Sequence, residues 1–87
     1  MATVFIPTQW RDLTGAIDQV PVEGQSLAQV IAAIEARFPG IRARVLDGEQ
    51  IAAGLAVSID GRVNARGLLA SVQPTSEIHF LPAIGGG

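Results

Sequence analysis

The sequence predicts an α+β domain: a mixed sheet of four to five strands with one main helix packed on one face. Three observations predict it. One segment, 26–38, carries apolar residues at helical period. Several short runs on either side of it are β-prone and alternate. Gly- and Pro-containing turns separate those runs.

Taken in order, residues 2–6 (ATVFI) form a β-prone run that ends at Pro7. Alternation puts Val4 and Ile6 on one face and Thr3 and Phe5 on the other. Gln9 to Gly15 reads as a connection with a turn at Thr14-Gly15, and Ile17 to Val22 as a second strand with Val20 and Val22 facing the core. These two strands would pair as a hairpin. Ser26 opens the helix with a capping box, S-L-A-Q, in which the Ser26 hydroxyl accepts from the Gln29 amide while the Gln29 side chain reaches back. Leu27, Val30, Ile31, Ile34 and Phe38 then form one apolar stripe, and Pro39-Gly40 ends the helix because a residue before proline is pushed out of helical geometry.

Ile41 to Leu46 reads as a short helical turn closed by Asp47-Gly48. Leu55 to Asp60 reads as a strand with Leu55, Val57 and Ile59 inward and Ser58 outward. Asp60-Gly61 is a two-residue hairpin signal, since both central residues of a type I′ turn need positive φ, and Arg62 to Ala65 would be the return strand. Leu68, Leu69 and Val72 are expected to fill the core's edge. Pro74-Thr75-Ser76 is a turn, and Glu77 to Leu81 is the last strand, stopped by Pro82. Strand, strand, helix, strand, short strand, strand is compatible with a β-grasp layout. The order alone does not select it over other small α+β sheets. Residues 1–82 would make the domain and residues 83–87 a flexible glycine-rich tail.

Composition narrows the chemistry. The 87 residues suffice for one domain; 48% hydrophobic and 16% charged residues argue against disorder. There is no cysteine, which excludes disulfides, thiolate nucleophiles and sulfur-ligated metals, and a single histidine, His79, cannot build a histidine metal site. A net charge of −2 without a basic block gives no reason to expect nucleic-acid binding. No apolar run reaches the ~18 residues of a membrane span, and MATVFIPTQW does not read as a secretion signal, so a cytoplasmic protein without membrane contact is expected. All six basic residues are arginine, so no lysine is available for a Walker phosphate loop or as an isopeptide acceptor. Asp12, Asp18, Glu35 and Asp47 have no spacing that suggests a carboxylate pair. His79 and the arginines Arg42 and Arg44 are expected to be solvated, and Trp10 to pack at an edge. No nucleophile, base and oxyanion site assemble, which suggests a substrate or carrier rather than an enzyme.

The end of the chain carries a resemblance. "VFIPTQWRDLTG" is similar to the opening strand and R-[DE]-L-x-G turn (Arg11, Asp12, Leu13, Gly15) of the ThiS/MoaD family of ubiquitin-like sulfur carriers. "SLAQVIAAIEARFPGI" resembles that family's helix, "VSIDGRVN" its hairpin, and "SEIHFLPAIGGG" its last strand, proline and terminal Gly-Gly. The IPT start and LPAI end look closest to the cysteine-synthesis carriers. Gly85 stands where members more often carry Ala, Ser or Thr, and PTSE replaces the usual D-G-D-E turn.

The resemblance implies a β-grasp fold and a function. An E1-like adenylyltransferase of the MoeB/ThiF type would use ATP to adenylate the Gly87 carboxylate, with Gly86 beside it. A sulfur donor would convert the adenylate to a thiocarboxylate, and a sulfur-accepting synthase would take the sulfur. No cofactor is expected on the chain itself. Glycines let the backbone enter a narrow channel, and the five residues after Pro82 reach at most ~17 Å. Leu81 and Phe5 are expected on the sheet face without the helix, where they, Pro82 and the tail residues Ala83, Ile84 and Gly85 would dock the activating enzyme. Two alternatives stay open: a ubiquitin-like modifier conjugated through Gly87, and a β-grasp binding module whose tail is incidental.

Overall fold

The computed structural model of the chain describes residues 1–63 and 66–82. Strand β1 (Ala2–Phe5) leads into a 3-10 turn (Thr8–Trp10) that continues as the single-turn helix α1 (Arg11–Thr14). Strand β2 (Gln19–Val22), helix α2 (Leu27–Arg37) and the short helix α3 (Ile41–Val45) follow. Next come a small hairpin of β3 (Leu46–Asp47) and β4 (Gln50–Ile51), then β5 (Leu55–Ile59) and β6 (Arg62–Val63). A 3-10 turn (Gly67–Leu69) precedes the last strand, β7 (Glu77–Pro82).

The main sheet has the order β2-β1-β7-β5-β6. β1 and β7 run parallel at its centre, and the other pairs are antiparallel. This is the β-grasp arrangement: an N-terminal hairpin, a helix crossing one face, and a last strand inserted beside the first. The hydrophobic pattern sets the register. Val4 pairs with Val20 and with Ile78, so one face of three adjacent strands is a continuous apolar row. Those residues join Leu27, Val30, Ile31 and Ile34 of α2 in one buried cluster, with Phe38 packed half-buried against it. Each buried aliphatic side chain on that stripe contributes ~1.5–3 kcal/mol of transfer free energy, which is what holds α2 to the sheet.

The helix begins as its sequence suggests, with one difference. The Gln29 amide donates to Ser26 Oγ at 3.3 Å, but the Gln29 side chain accepts from the Gln25 amide (2.8 Å), one residue before the cap. At the other end, Glu35 turns back over the Pro39-Gly40 break. Its carboxylate accepts from the amides of Gly40 (3.1 Å) and Arg42 (2.8 Å), satisfying orphan donors at the start of α3.

Several expectations need correction. The connection after β1 is helical, closed by Gly15 in the left-handed region (φ 66°). β2 begins at Gln19, and Ile17 is exposed. The stretch after α3 forms the β3–β4 hairpin, which two-residue strands do not announce in a sequence. Ser58 lies on the outer row but is only 7% exposed, in register between His79 and Val63. Leu69 is 84% exposed rather than filling the core's edge, whereas Val72 is buried and Leu68 packs against the core. Pro82 does not stop the strand ahead of itself; it is the last residue of β7 and pairs with Leu55. The Asp60-Gly61 turn is as expected, with φ of 54° and 83°. The return strand is seen at Arg62–Val63; Asn64 and Ala65 lie outside the described residues. No helix among the described residues is long and apolar enough to cross a membrane.

Candidate functional site

The central position of β7 defines the site. β1 pairs this strand from Glu77 to His79 and β5 pairs it from Ile78 to Pro82, so its far end is held in the ladder with β5. That end is Pro82, opposite Leu55. The predicted tail residues Ala83, Ile84, Gly85, Gly86 and Gly87 lie outside the described residues.

Alternation along β7 separates two faces. Ile78 and Phe80 enter the core; His79 and Leu81 face the side without α2. Phe5 pairs with His79 in the parallel ladder and therefore shares that outer face. The rings of Phe5 and His79 stack, with centroids 4.1 Å apart and planes 11° from parallel. His79 is accordingly half-buried in a flat platform, not a freely solvated strand residue. Leu81, one step further toward the tail, is 41% exposed. The structure thus brings Phe5 and Leu81 onto one surface as expected and adds His79 between them. Only the parallel register of β1 with β7 reveals that addition, and no spacing in the sequence encodes it.

Beyond Leu81 on the β5 side, Leu55 and Ala56 form one wall of an open groove of about 780 Å³, with Ile51, Val63, Leu68 and Leu69 around it. On the β1 side the chain turns through Thr8–Trp10. Trp10 is buried against Phe80, with ring centroids 5.2 Å apart, so it is a core residue. Arg44 is not simply a solvated side chain. It forms a two-pronged ion pair with Asp12, 3.0 Å on each prong, and also donates to the Gln9 carbonyl. The hydrogen bond from Arg44 holds the Asp12 carboxyl below its ordinary range. Asp60, at the opposite end of the sheet, is likewise held low, first by the Glu77 amide and then by the Ser76 hydroxyl, at 2.9 and 2.8 Å. Among the described residues, no cluster of His, Asp and Glu is suited to a metal ion.

A β-grasp body with a central last strand and an apolar, helix-free sheet face beside its exit defines a ubiquitin-like protein. The comparisons agree and go further. The ThiS family model matches residues 4–87, and the chain belongs to that family. It is 30% identical to the sulfur carrier protein CysO of Mycobacterium tuberculosis over 90 residues, 98% of this chain and 97% of the relative. A chain in the crystal structure of the Amycolatopsis orientalis BexX/CysO complex superposes with a TM-score of 0.92, at 31% identity and with both chains fully covered. The small archaeal modifier protein 1 of Methanosarcina acetivorans shares the fold, with a TM-score of 0.79 at 18% identity over 99% of this chain and 95% of the other. The chain is therefore a ubiquitin-like protein of a sulfur-carrier family.

Proposed function

We propose that this protein carries sulfur as a thiocarboxylate on Gly87. The carboxylate attacks the α-phosphorus of ATP in the active site of an E1-like enzyme, giving the acyl-adenylate and releasing pyrophosphate. Sulfide from a donor then attacks the acyl carbon, AMP leaves, and the –COS⁻ group remains. A bare carboxylate is a poor electrophile; adenylation supplies the leaving group that makes this substitution possible. The sulfur passes from there to an acceptor bound by a second enzyme.

The observation that supports this reading most is the family match, which runs through residue 87 and so includes the glycines where the chemistry would occur. The fold supplies what the chemistry needs from the body: a firmly held strand that delivers the chain at Pro82, and beside it an apolar surface on which an enzyme can seat. Phe5, His79 and Leu81 form that seat. In this reading the protein is a substrate and carrier, and the enzymes it visits perform the catalysis.

ATP–pyrophosphate exchange tests the first step. A cognate E1-like enzyme should catalyse exchange that depends on this protein. Deleting Gly87, or adding one residue after it, should abolish exchange, because the reacting carbon then falls short of or beyond the adenylation site. Undiminished exchange with either variant would exclude Gly87 as the activated residue.

A further inference from the structure

Parallel pairing of β1 with β7 has a consequence at the root of the tail. Both strands run toward the same end of the sheet. The ladder's last pair is Phe5–His79, after which β1 ends while β7 continues to Pro82. The chain then turns back so that Trp10 packs on Phe80. Thr8 and Gln9, both exposed, thus lie at the end of the sheet toward which β7 also runs. The turn is short and closed by two backbone bonds, Trp10 N–H to the Pro7 carbonyl at 3.0 Å and Arg11 N–H to the Thr8 carbonyl.

A further hold on this turn comes from elsewhere in the sequence. Arg44, on α3, reaches the Gln9 carbonyl at 3.1 Å and the Asp12 carboxylate at 3.0 Å through both of its terminal nitrogens. The helix that carries Arg44 is itself capped by Glu35. A planar guanidinium that bonds a carbonyl and a carboxylate together sets their relative position, which a flexible ammonium cannot do. A bidentate pair that also holds a carbonyl fixes geometry as well as adding to stability.

We propose that Arg44 is a positioning residue for tail transfer: it sets the Thr8–Gln9 turn as a polar lip against which the activating enzyme seats. This rests on the function proposed above. The lip offers a hydroxyl and a side-chain amide, so it fits hydrogen-bonding groups at the rim of the enzyme's channel. The Phe5–His79–Leu81 face supplies area, and the lip supplies orientation. Orientation matters because the five residues after Pro82 reach at most ~17 Å, so a rotation at the root shifts where the reacting carbon can be delivered.

The test uses the full chain with Arg44→Gln, Arg44→Lys, Asp12→Asn and the Arg44→Gln/Asp12→Asn pair. Two quantities are measured with the activating enzyme: KM and kcat for pyrophosphate exchange, and Kd without ATP. Arg44→Gln should raise KM and Kd about tenfold while kcat stays within about twofold and the melting curve stays near that of the parent. Arg44→Lys should recover less than half of the loss. Asp12→Asn should have a smaller effect, and the double variant should be no worse than Arg44→Gln. Unchanged KM in Arg44→Gln, full rescue by lysine, or a fall in kcat alone would each overturn the proposal. A parent protein that binds the enzyme but supports no exchange, with Kd still weakened by Arg44→Gln, would sink the carrier reading and keep the lip. Normal exchange by both parent and Arg44→Gln would do the reverse.

Discussion

Leu81 gives the most quantitative check on the docking face. It is 41% exposed in the free protein. Fully burying a leucine side chain is worth ~1.5–3 kcal/mol, so covering the remaining 41% in a complex contributes about 0.6–1.2 kcal/mol. Leu81→Ala should therefore weaken binding of the activating enzyme by roughly 3- to 8-fold. Leu81→Asp places a carboxylate where water is excluded and should cost about 2 kcal/mol or more, beyond ~30-fold. The folded state also loses contacts. The covered fraction, 100 − 41 = 59%, corresponds to about 0.9–1.8 kcal/mol of the ~4–13 kcal/mol expected for 87 residues. Both variants should stay folded at 25 °C, which circular dichroism will verify before calorimetry measures Kd. Parent-like affinity in a folded Leu81→Asp protein would refute the assignment of this face.

Other predictions concern the body of the fold. Ile34, fully buried on the α2 stripe, should lose about 2–5 kcal/mol on truncation to alanine, lowering Tm by at least ~8 °C in a thermal scan. The Asp60 carboxyl is lowered in the folded state, first by the Glu77 amide and then by the Ser76 hydroxyl. Its stabilisation is therefore present above the unfolded-state value, near pH ~4, and is lost as pH falls through the lower folded value. Asp60→Asn keeps a residue that tolerates the positive φ of the turn but removes that charge. The variant should be less stable than the parent at pH 7, and the difference should shrink as pH falls below ~4 in urea titrations. A constant difference across that range would show that the carboxylate's charge is not what holds the β5–β6 turn to the start of β7. Asp12, lowered chiefly by its bond from Arg44, should act in the same direction.

The parts of this fold that a reader of the sequence can find are those with a local cause. Helix α2 is legible because five apolar residues repeat at its period and a serine caps it. The β5–β6 turn is legible because Asp-Gly can hold positive φ at both positions. Alternation in β1 and β7 separates Val4 and Ile78, which enter the core, from Phe5 and Leu81, which do not. The illegible parts have causes far away in the chain. Two-residue strands such as β3 and β4 carry no period and show only in the pairing of Leu46 with Ile51 and Asp47 with Gln50. Leu69 reads as a core residue by type, yet its place in a 3-10 turn sends it to the surface. Pro82 reads as a strand terminator, yet it ends β7 while still paired with Leu55, at a point where β1 no longer pairs the strand. Within the candidate site, the apolar face follows from alternation. The His79–Phe5 stack follows only once β1 and β7 are known to be parallel, and the Arg44 fork bridges residues 32 apart in sequence.

The most direct test of the account is the mass of the protein after incubation with a cognate E1-like enzyme, ATP and sulfide. Exchange of one oxygen for sulfur should add about 16 Da to the intact protein, and fragmentation should place the added mass on Gly87. An unchanged mass where the enzyme demonstrably adenylates the chain, or the added mass on any other residue, would contradict it.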